Sequence, residues 1–178
     1  MEMLSSDKIQ QLFHSARYNG LDVCCVYCRH QKLYIIENGK RYKCSGCQKK
    51  FRDWTSTALD GCRLQPEVVY SVLLDFCNGS SALQVSKKHI LSYQTVFDLY
   101  NRIRDFLPVV QISEDLSETY SLFAYEYVSR YRGIQKNQSG YEKELKWRFS
   151  THNMSTRAKV KSLLDILLSF SAVDDSVT

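Results

Sequence analysis

The chain has 178 residues, 44% hydrophobic and 24% charged, a composition of globular chains and not of disordered ones. Its 7 glycines and 2 prolines exclude long low-complexity linkers, and its longest apolar stretch, Ser162 to Val173, is broken by Asp165 and too short to span a bilayer. The formal net charge is +5, all of it in residues 1–107, which hold 15 Lys and Arg against 10 Asp and Glu; residues 108–178 hold 9 against 9. The length allows one ordinary domain or two or three small modules. The N-terminus lacks the basic-then-apolar layout of a signal peptide, so the expectation is an intracellular protein, without a membrane or small-molecule partner. Its seven cysteines are then read as thiols and not as a disulfide framework.

Ser6 is expected to cap a helix from Asp7 to about Tyr18, with Ile9, Leu12, Phe13 and Ala16 at helical spacing and Gly20 as the stop. Extended runs follow at Lys32 to Glu37 and Lys40 to Lys43. Between them, Asn38-Gly39 is a hairpin turn signal. Lys49 to Thr55 supplies a third candidate strand, and Thr57 to Leu64 a connection. Pro66 opens a helix whose apolar face is Val68, Val69, Val72, Leu73 and Phe76 and which ends at Asn78-Gly79-Ser80. Helices over Ser81 to His89 and Ser92 to Leu107 come next, then Pro108. Three more are expected near 115–131, 140–149 and 156–170. The elements add up to an α+β chain of small modules: an N-terminal helix (1–20), a zinc-ribbon hairpin (21–60), a helix-turn-helix (61–108) and a mainly α-helical tail (109–178).

The strongest chemical signal is Cys25-Val26-Tyr27-Cys28 followed by Cys44-Ser45-Gly46-Cys47. Two CxxC pairs with 15 residues between them match a four-thiolate structural zinc site. Each pair forms a tight knuckle, the intervening hairpin brings the knuckles together, and Gly46 is expected to supply a positive φ. Four protein ligands, Cys25, Cys28, Cys44 and Cys47, leave no open position, which makes one structural zinc ion the expected cofactor. A redox pair is the competing reading of a single CxxC. Cys24 beside Cys25 leaves the register ambiguous by one residue. Cys77, on an apolar helix face, reads as a buried small hydrophobe, and Cys62 is unassigned.

Around these cysteines, Arg29 to Arg52 carries eight basic residues and one acid, Glu37. Lys40, Arg41, Lys43, Lys49, Lys50 and Arg52 are candidates to contact a phosphate backbone. They equally offset the formal charge of −2 that zinc with four thiolates carries. Further on, Ser92 is expected to cap a helix with Val96, Leu99, Tyr100, Ile103 and Leu107 inward. Tyr93, Gln94, Thr95, Asp98, Asn101, Arg102 and Arg104 are expected outward. Of these, Tyr93, Gln94, Thr95, Asp98 and Arg102 are the candidate contacts to double-stranded DNA. An ordinary helical hairpin with a polar face is the plainer alternative.

These features, in order, resemble a known family. They are Gly20, the Cys25/Cys28 pair, Arg41-Tyr42-Lys43-Cys44-Ser45-Gly46-Cys47 running to Phe51, Thr55-Ser56-Thr57, and Ser81-Ala82-Leu83 with Ser92-Tyr93-Gln94-Thr95. From Leu12 to about Leu107 the chain is similar to the N-terminal part of insertion-sequence transposases of the Merlin type. Those proteins have a zinc ribbon, a helix-turn-helix that binds the element's ends, and a DDE catalytic core. The tail, through Arg130-Tyr131-Arg132-Gly133-Ile134, Tyr141 and Glu144-Leu145-Lys146-Trp147-Arg148-Phe149, resembles the closing helices after that core. By the same resemblance Glu118 falls where the last acid of the Asp-Asp-Glu set stands. Tyr125 departs from the lysine many members carry.

The resemblance breaks in the middle. DDE chemistry needs two aspartates on separate elements of a sheet that, with the glutamate, hold two metal ions. Only ten residues lead from Pro108 to Glu118, whereas such a domain takes roughly a hundred. Glu114, Asp115 and Glu118 on one short helix do not reproduce that geometry, so Glu118 reads as vestigial and the chain as a non-enzyme. Leu116, Phe123, Val128, Trp147, Phe149, Leu163, Leu164, Leu167 and Phe170 then need a new surface, over the helix-turn-helix or in a homodimer of the C-terminal helices. The leading expectation is a zinc-dependent DNA-binding protein derived from a transposase, a regulator or remnant of transposition. The alternative is a zinc-ribbon module that docks on proteins of transcription or recombination.

Overall fold

A computed structural model describes residues 4–37, 41–130 and 138–169. Among them are seven α-helices and one three-stranded antiparallel sheet: α1 (Ser6–Tyr18), β1 (Leu33–Ile36), β2 (Arg41–Cys44), β3 (Lys50–Phe51), α2 (Pro66–Cys77), α3 (Ala82–Lys88), α4 (Tyr93–Phe106), α5 (Ser117–Arg130), α6 (Gln138–Ser150) and α7 (Thr156–Leu168). A 3-10 turn at Glu114–Leu116 precedes α5. Asn38, Gly39, Lys40, Tyr131 to Ile134 and Phe170 lie outside the described residues. No helix among those described is long and apolar enough to cross a membrane.

The elements fall into two compact units, one of Met1–Asp75 with Val160–Thr178, the other of Phe76–Lys159. In the first, α1 is capped by Ser5, one residue earlier than expected, because the Ser5 hydroxyl accepts the Lys8 N–H and Ser6 is already helical. Asn19 and Gly20, both at positive φ, end it. The sheet runs β1-β2-β3, with Leu33 opposite Cys44, Tyr34 opposite Lys43, Ile35 opposite Tyr42, Ile36 opposite Arg41, and Lys43 opposite Lys50. Its third strand is much shorter than the expected Lys49 to Thr55. Beyond Phe51 the chain turns, and Thr55 pairs with Arg52 through both its N–H and its hydroxyl, so a ladder cannot continue.

The end of α7 closes this unit. Val160, Leu163, Leu164, Leu167 and Leu168 are buried, the Ala58 N–H donates to the Leu167 carbonyl, and Arg17 of α1 donates to the carbonyls of Leu168 and Thr55. A polar seam accompanies Arg17. The Tyr42 hydroxyl is 3.2 Å from His14 Nδ1, which lies 3.7 Å from Asp53 Oδ1. Burial pushes the Asp53 carboxyl above the usual carboxylate range, and His14, Tyr42 and Arg17 pull it only part of the way back.

In the second unit a capping box starts α3: the Ser81 hydroxyl takes the Gln84 N–H while the Gln84 side chain takes the Ser81 N–H. Ser92 caps α4 as expected. Val85, Val96, Leu99, Tyr100, Ile103 and Leu107 are buried, with Phe76 edge-on to Tyr100 at 4.9 Å between ring centroids and tilted against Trp147 at 6.3 Å. Trp147 and Phe149 thus find an internal surface, and Phe123 meets Phe149 at 5.5 Å. Leu116 and Val128 stay exposed.

The expected outward face of α4 fails at one residue. Arg104 does not face outward on α4; it is 5% exposed. Its Nε donates to Glu144 of α6 at 2.7 Å, and Arg148 and the Tyr127 hydroxyl donate to the same carboxylate at 2.8 and 2.6 Å. Burial opposes ionisation of Glu144, but Arg148 and Arg104 outweigh it and hold the carboxyl below its ordinary range. Arg148 also donates to the carbonyls of Phe76 and Cys77, at 2.5 and 3.2 Å, and so caps the C-terminus of α2, which has no basic residue in its own last turn. Cys77 is buried as expected, and burial pushes its thiol up to about 12.

Candidate functional site

The two CxxC segments fold as near-copies of each other. In the first, the Arg29 N–H donates to the Cys25 carbonyl at 2.9 Å; in the second, the Gln48 N–H donates to the Cys44 carbonyl at 3.1 Å. Arg29 and Gln48, each just past the second cysteine of its pair, take positive φ, +61° and +59°. Gly46 does not, contrary to expectation. A Cβ there would come within 3.2 Å of the His30 ring, so the glycine is needed for close approach and not for a left-handed backbone. The Gly46 and Cys47 N–H groups point at Cys44 Sγ, at 3.3 and 3.4 Å.

This brings Cys25, Cys28, Cys44 and Cys47 together, with all four sulfurs within 4.8 Å of one another and no disulfide. Cys25 Sγ is 3.6 Å from Cys47 Sγ, and Cys28 Sγ is 3.5 Å from Cys44 Sγ. These separations are close to the edge of about 3.8 Å that a tetrahedron with metal–sulfur bonds of about 2.3 Å requires. The residues fit a metal ion, and a soft four-sulfur set selects soft or borderline metals over oxygen-seeking ones. Cys24 is not part of the cluster, which resolves the register.

The sulfurs differ in acidity. Burial pushes Cys25 up to about 12, only partly offset by N–H donors from Tyr27 and Cys28. Burial also opposes the Cys44 thiolate, but the Cys47 N–H, the Cys28 thiol and the Gly46 N–H draw it down to about 6. Around the sulfurs, Cys25, Tyr42, Cys44 and Phe51 form a small core with Val23, Val26, Leu33 and Cys47 packed against it. With so few apolar residues, a bound ion would contribute much of this lobe's stability.

The sheet register sorts the basic residues. Side chains alternate along a strand, and directly paired residues share a face. Tyr42, Cys44 and Phe51 therefore turn inward, as their burial records, while Arg41, Lys43 and Lys50 emerge together on the opposite face beside Tyr34. Lys43 and Lys50 stand directly opposite each other, a like-charge pair that opposes sheet formation. Arg41 pairs with Glu37 at 3.2 Å. Lys49 sits over the Tyr27 ring at 4.8 Å and Arg52 over Trp54 at 5.1 Å. Lys40 lies outside the described residues. In the sequence these cations form one run; pairing register is the signal that divides them.

On α4, Tyr93, Gln94, Asp98 and Arg102 are exposed. The Gln94 amide donates to the Asp98 carboxylate at 2.6 Å. Thr95 is half-buried, its hydroxyl 2.7 Å from the Ser92 cap hydroxyl, which commits it locally. Glu114, Asp115 and Glu118 are exposed, and no group of three or more His, Cys, Asp or Glu other than the cysteines can hold an ion among the described residues.

No family model, curated protein or solved structure matches the chain.

Proposed function

We propose that this is a zinc-dependent protein that binds duplex DNA, derived from a Merlin-type insertion-sequence transposase and without strand-transfer activity. The observation that carries the reading is the cationic face of the sheet, where Lys43 opposes Lys50 next to Arg41. A like-charge pair held in register on a ribbon is costly alone and favourable against phosphates. In this reading Cys25, Cys28, Cys44 and Cys47 hold zinc as a ribbon. Arg41, Lys43 and Lys50 take backbone phosphates, with Lys49 and Arg52 at the margin of that face. The helix-turn-helix is α3 and α4, and Tyr93, Gln94, Asp98 and Arg102 present polar groups to base edges. Glu118 is a vestige of the family's catalytic acids, and the protein acts within the cell as a regulator or remnant of transposition.

Enrichment of random duplex DNA on zinc-loaded protein, with a chelated control at about 150 mM salt, tests the reading. A motif recovered only with zinc bound supports it; no enrichment from folded, zinc-loaded protein overturns it. A second reading, a docking module for proteins, draws on the outer face of α5, where Leu122, Tyr125 and Val128 are 70%, 77% and 59% exposed. That reading predicts partner affinity nearly independent of salt, and it also accommodates a homodimer through the C-terminal helices.

A further inference from the structure

The turn between α3 and α4 carries a residue that its folding role does not explain. Ile90 directly follows the C-cap His89 of α3 and sits at φ +54°. The Leu91 N–H donates to the Ser86 carbonyl at 2.9 Å, closing the six-residue ring that commonly ends a helix around a glycine in the left-handed region. A β-branched residue is the least suited to that backbone, because its Cβ substituents crowd the neighbouring carbonyl. Burial does not offset the strain. Ile90 is 94% exposed, more than any other large hydrophobic residue described.

Its surroundings combine apolar and cationic groups, and the nearest acid in sequence, Asp98, takes the Gln94 amide. Leu83 and Lys87, four residues apart on α3, form an exposed stripe leading to the turn. Tyr93 opens α4 with its ring stacked on Phe97 at 5.5 Å and still half exposed, and Gln94 follows it. From Phe76 to Phe97 the chain holds Lys87, Lys88 and His89 and no acid at all. A strained, exposed branched aliphatic side chain close in sequence to Lys87 and Lys88 suits a polyanion that also offers apolar groups. Duplex DNA offers thymine methyls in its major groove.

We infer that Ile90 is an apolar base contact, which enters the major groove against thymine methyl groups while Lys87 approaches the phosphates. This rests on the duplex-DNA reading above. The test uses the zinc-loaded full chain, its Ile90→Gly and Ile90→Asn variants, and a duplex selected by the wild type, made either with thymine or with deoxyuridine. Both substitutions suit a left-handed backbone, so both variants are expected to melt at higher temperature than the wild type. They are also expected to bind the thymine duplex roughly tenfold or more weakly. Each contacted methyl removed by deoxyuridine weakens the wild type by about fourfold and leaves the variants unchanged.

Variants that are more stable and bind as tightly as the wild type overturn the inference, as does a wild type indifferent to deoxyuridine. Loss of a concentration-dependent dimer in Ile90→Gly with DNA affinity intact assigns the tip to a second copy, and overturns it too. A wild type that selects no duplex ends the DNA reading itself, an outcome distinct from the others because in those the wild type still binds.

Discussion

Replacing Glu144 by glutamine removes the one negative charge between two buried arginines. The carboxylate accepts from Arg104 Nε, Arg148 Nε and the Tyr127 hydroxyl, and the residue is 2% exposed. Glutamine keeps the volume, so no cavity contributes, but its amide nitrogen cannot accept, and two guanidiniums are left without their counter-charge. Breaking a buried pair from one side costs about 3–5 kcal/mol. With a urea slope of about 2 kcal/mol/M, the unfolding midpoint of the zinc-loaded chain at pH 7 falls by about 1.5–2.5 M. Because the folded pKa of Glu144 is depressed, its contribution is complete above the unfolded value of about 4.3 and fades as pH falls through the lower folded value. The gap between wild type and Glu144→Gln is therefore constant from pH 7 to about 5 and closes in stronger acid. An Arg104→Met/Glu144→Leu/Arg148→Met variant recovers much of the loss, since apolar groups can replace a buried charge set. Recovery stays incomplete because Arg148 also caps α2. A midpoint drop below about 0.3 M in Glu144→Gln would instead mean that the three charges are solvated.

Chelation, or Cys44→Ser, is expected to unfold the cysteine-bearing sheet, read as loss of dispersed sheet amide resonances and of a one-to-one metal stoichiometry; a sheet that persists without metal contradicts this. Lys43→Gln with Lys50→Gln is expected to reduce the slope of log affinity for DNA against log salt by about 0.9 for each phosphate no longer neutralised, in titrations between about 50 and 200 mM salt. An unchanged slope removes that face from the interface. Asp53→Asn is expected to raise the melting temperature at pH 7. Its folded pKa lies above the unfolded one, so its ionised form destabilises at neutral pH, and the advantage shrinks as acid protonates Asp53 in the wild type. A lower melting temperature at pH 7 would show that the pairing with His14 outweighs burial.

Much of what lies close in sequence was legible in sequence, although Ser5 replaces Ser6 as the cap of α1 and Gly46 takes no positive φ. Both cysteine knuckles, the Ser92 cap, the proline at the start of α2 and the glycine after it depend on a few consecutive residues, whose local hydrogen bonds and φ preferences are properties of the residues themselves. Only tertiary structure decided the rest, because it depends on what meets across tens of residues. Arg104, four residues after Tyr100 and three before Leu107, stands at the edge of the apolar stripe, where spacing alone does not decide between solvent and core. It is inward because Glu144, 40 positions on, arrives with a counter-charge. The end of α7 reads as one more tail helix, yet it closes the unit that contains α1 through Arg17, 151 positions away. The cations between Arg41 and Arg52 form one basic run until pairing register, fixed by Tyr42 and Phe51 turning inward together, sets Lys43 against Lys50. The gap between two helices marks Ile90 as a turn residue, but the backbone ring that ends α3 is what sets it at positive φ and turns it out to solvent.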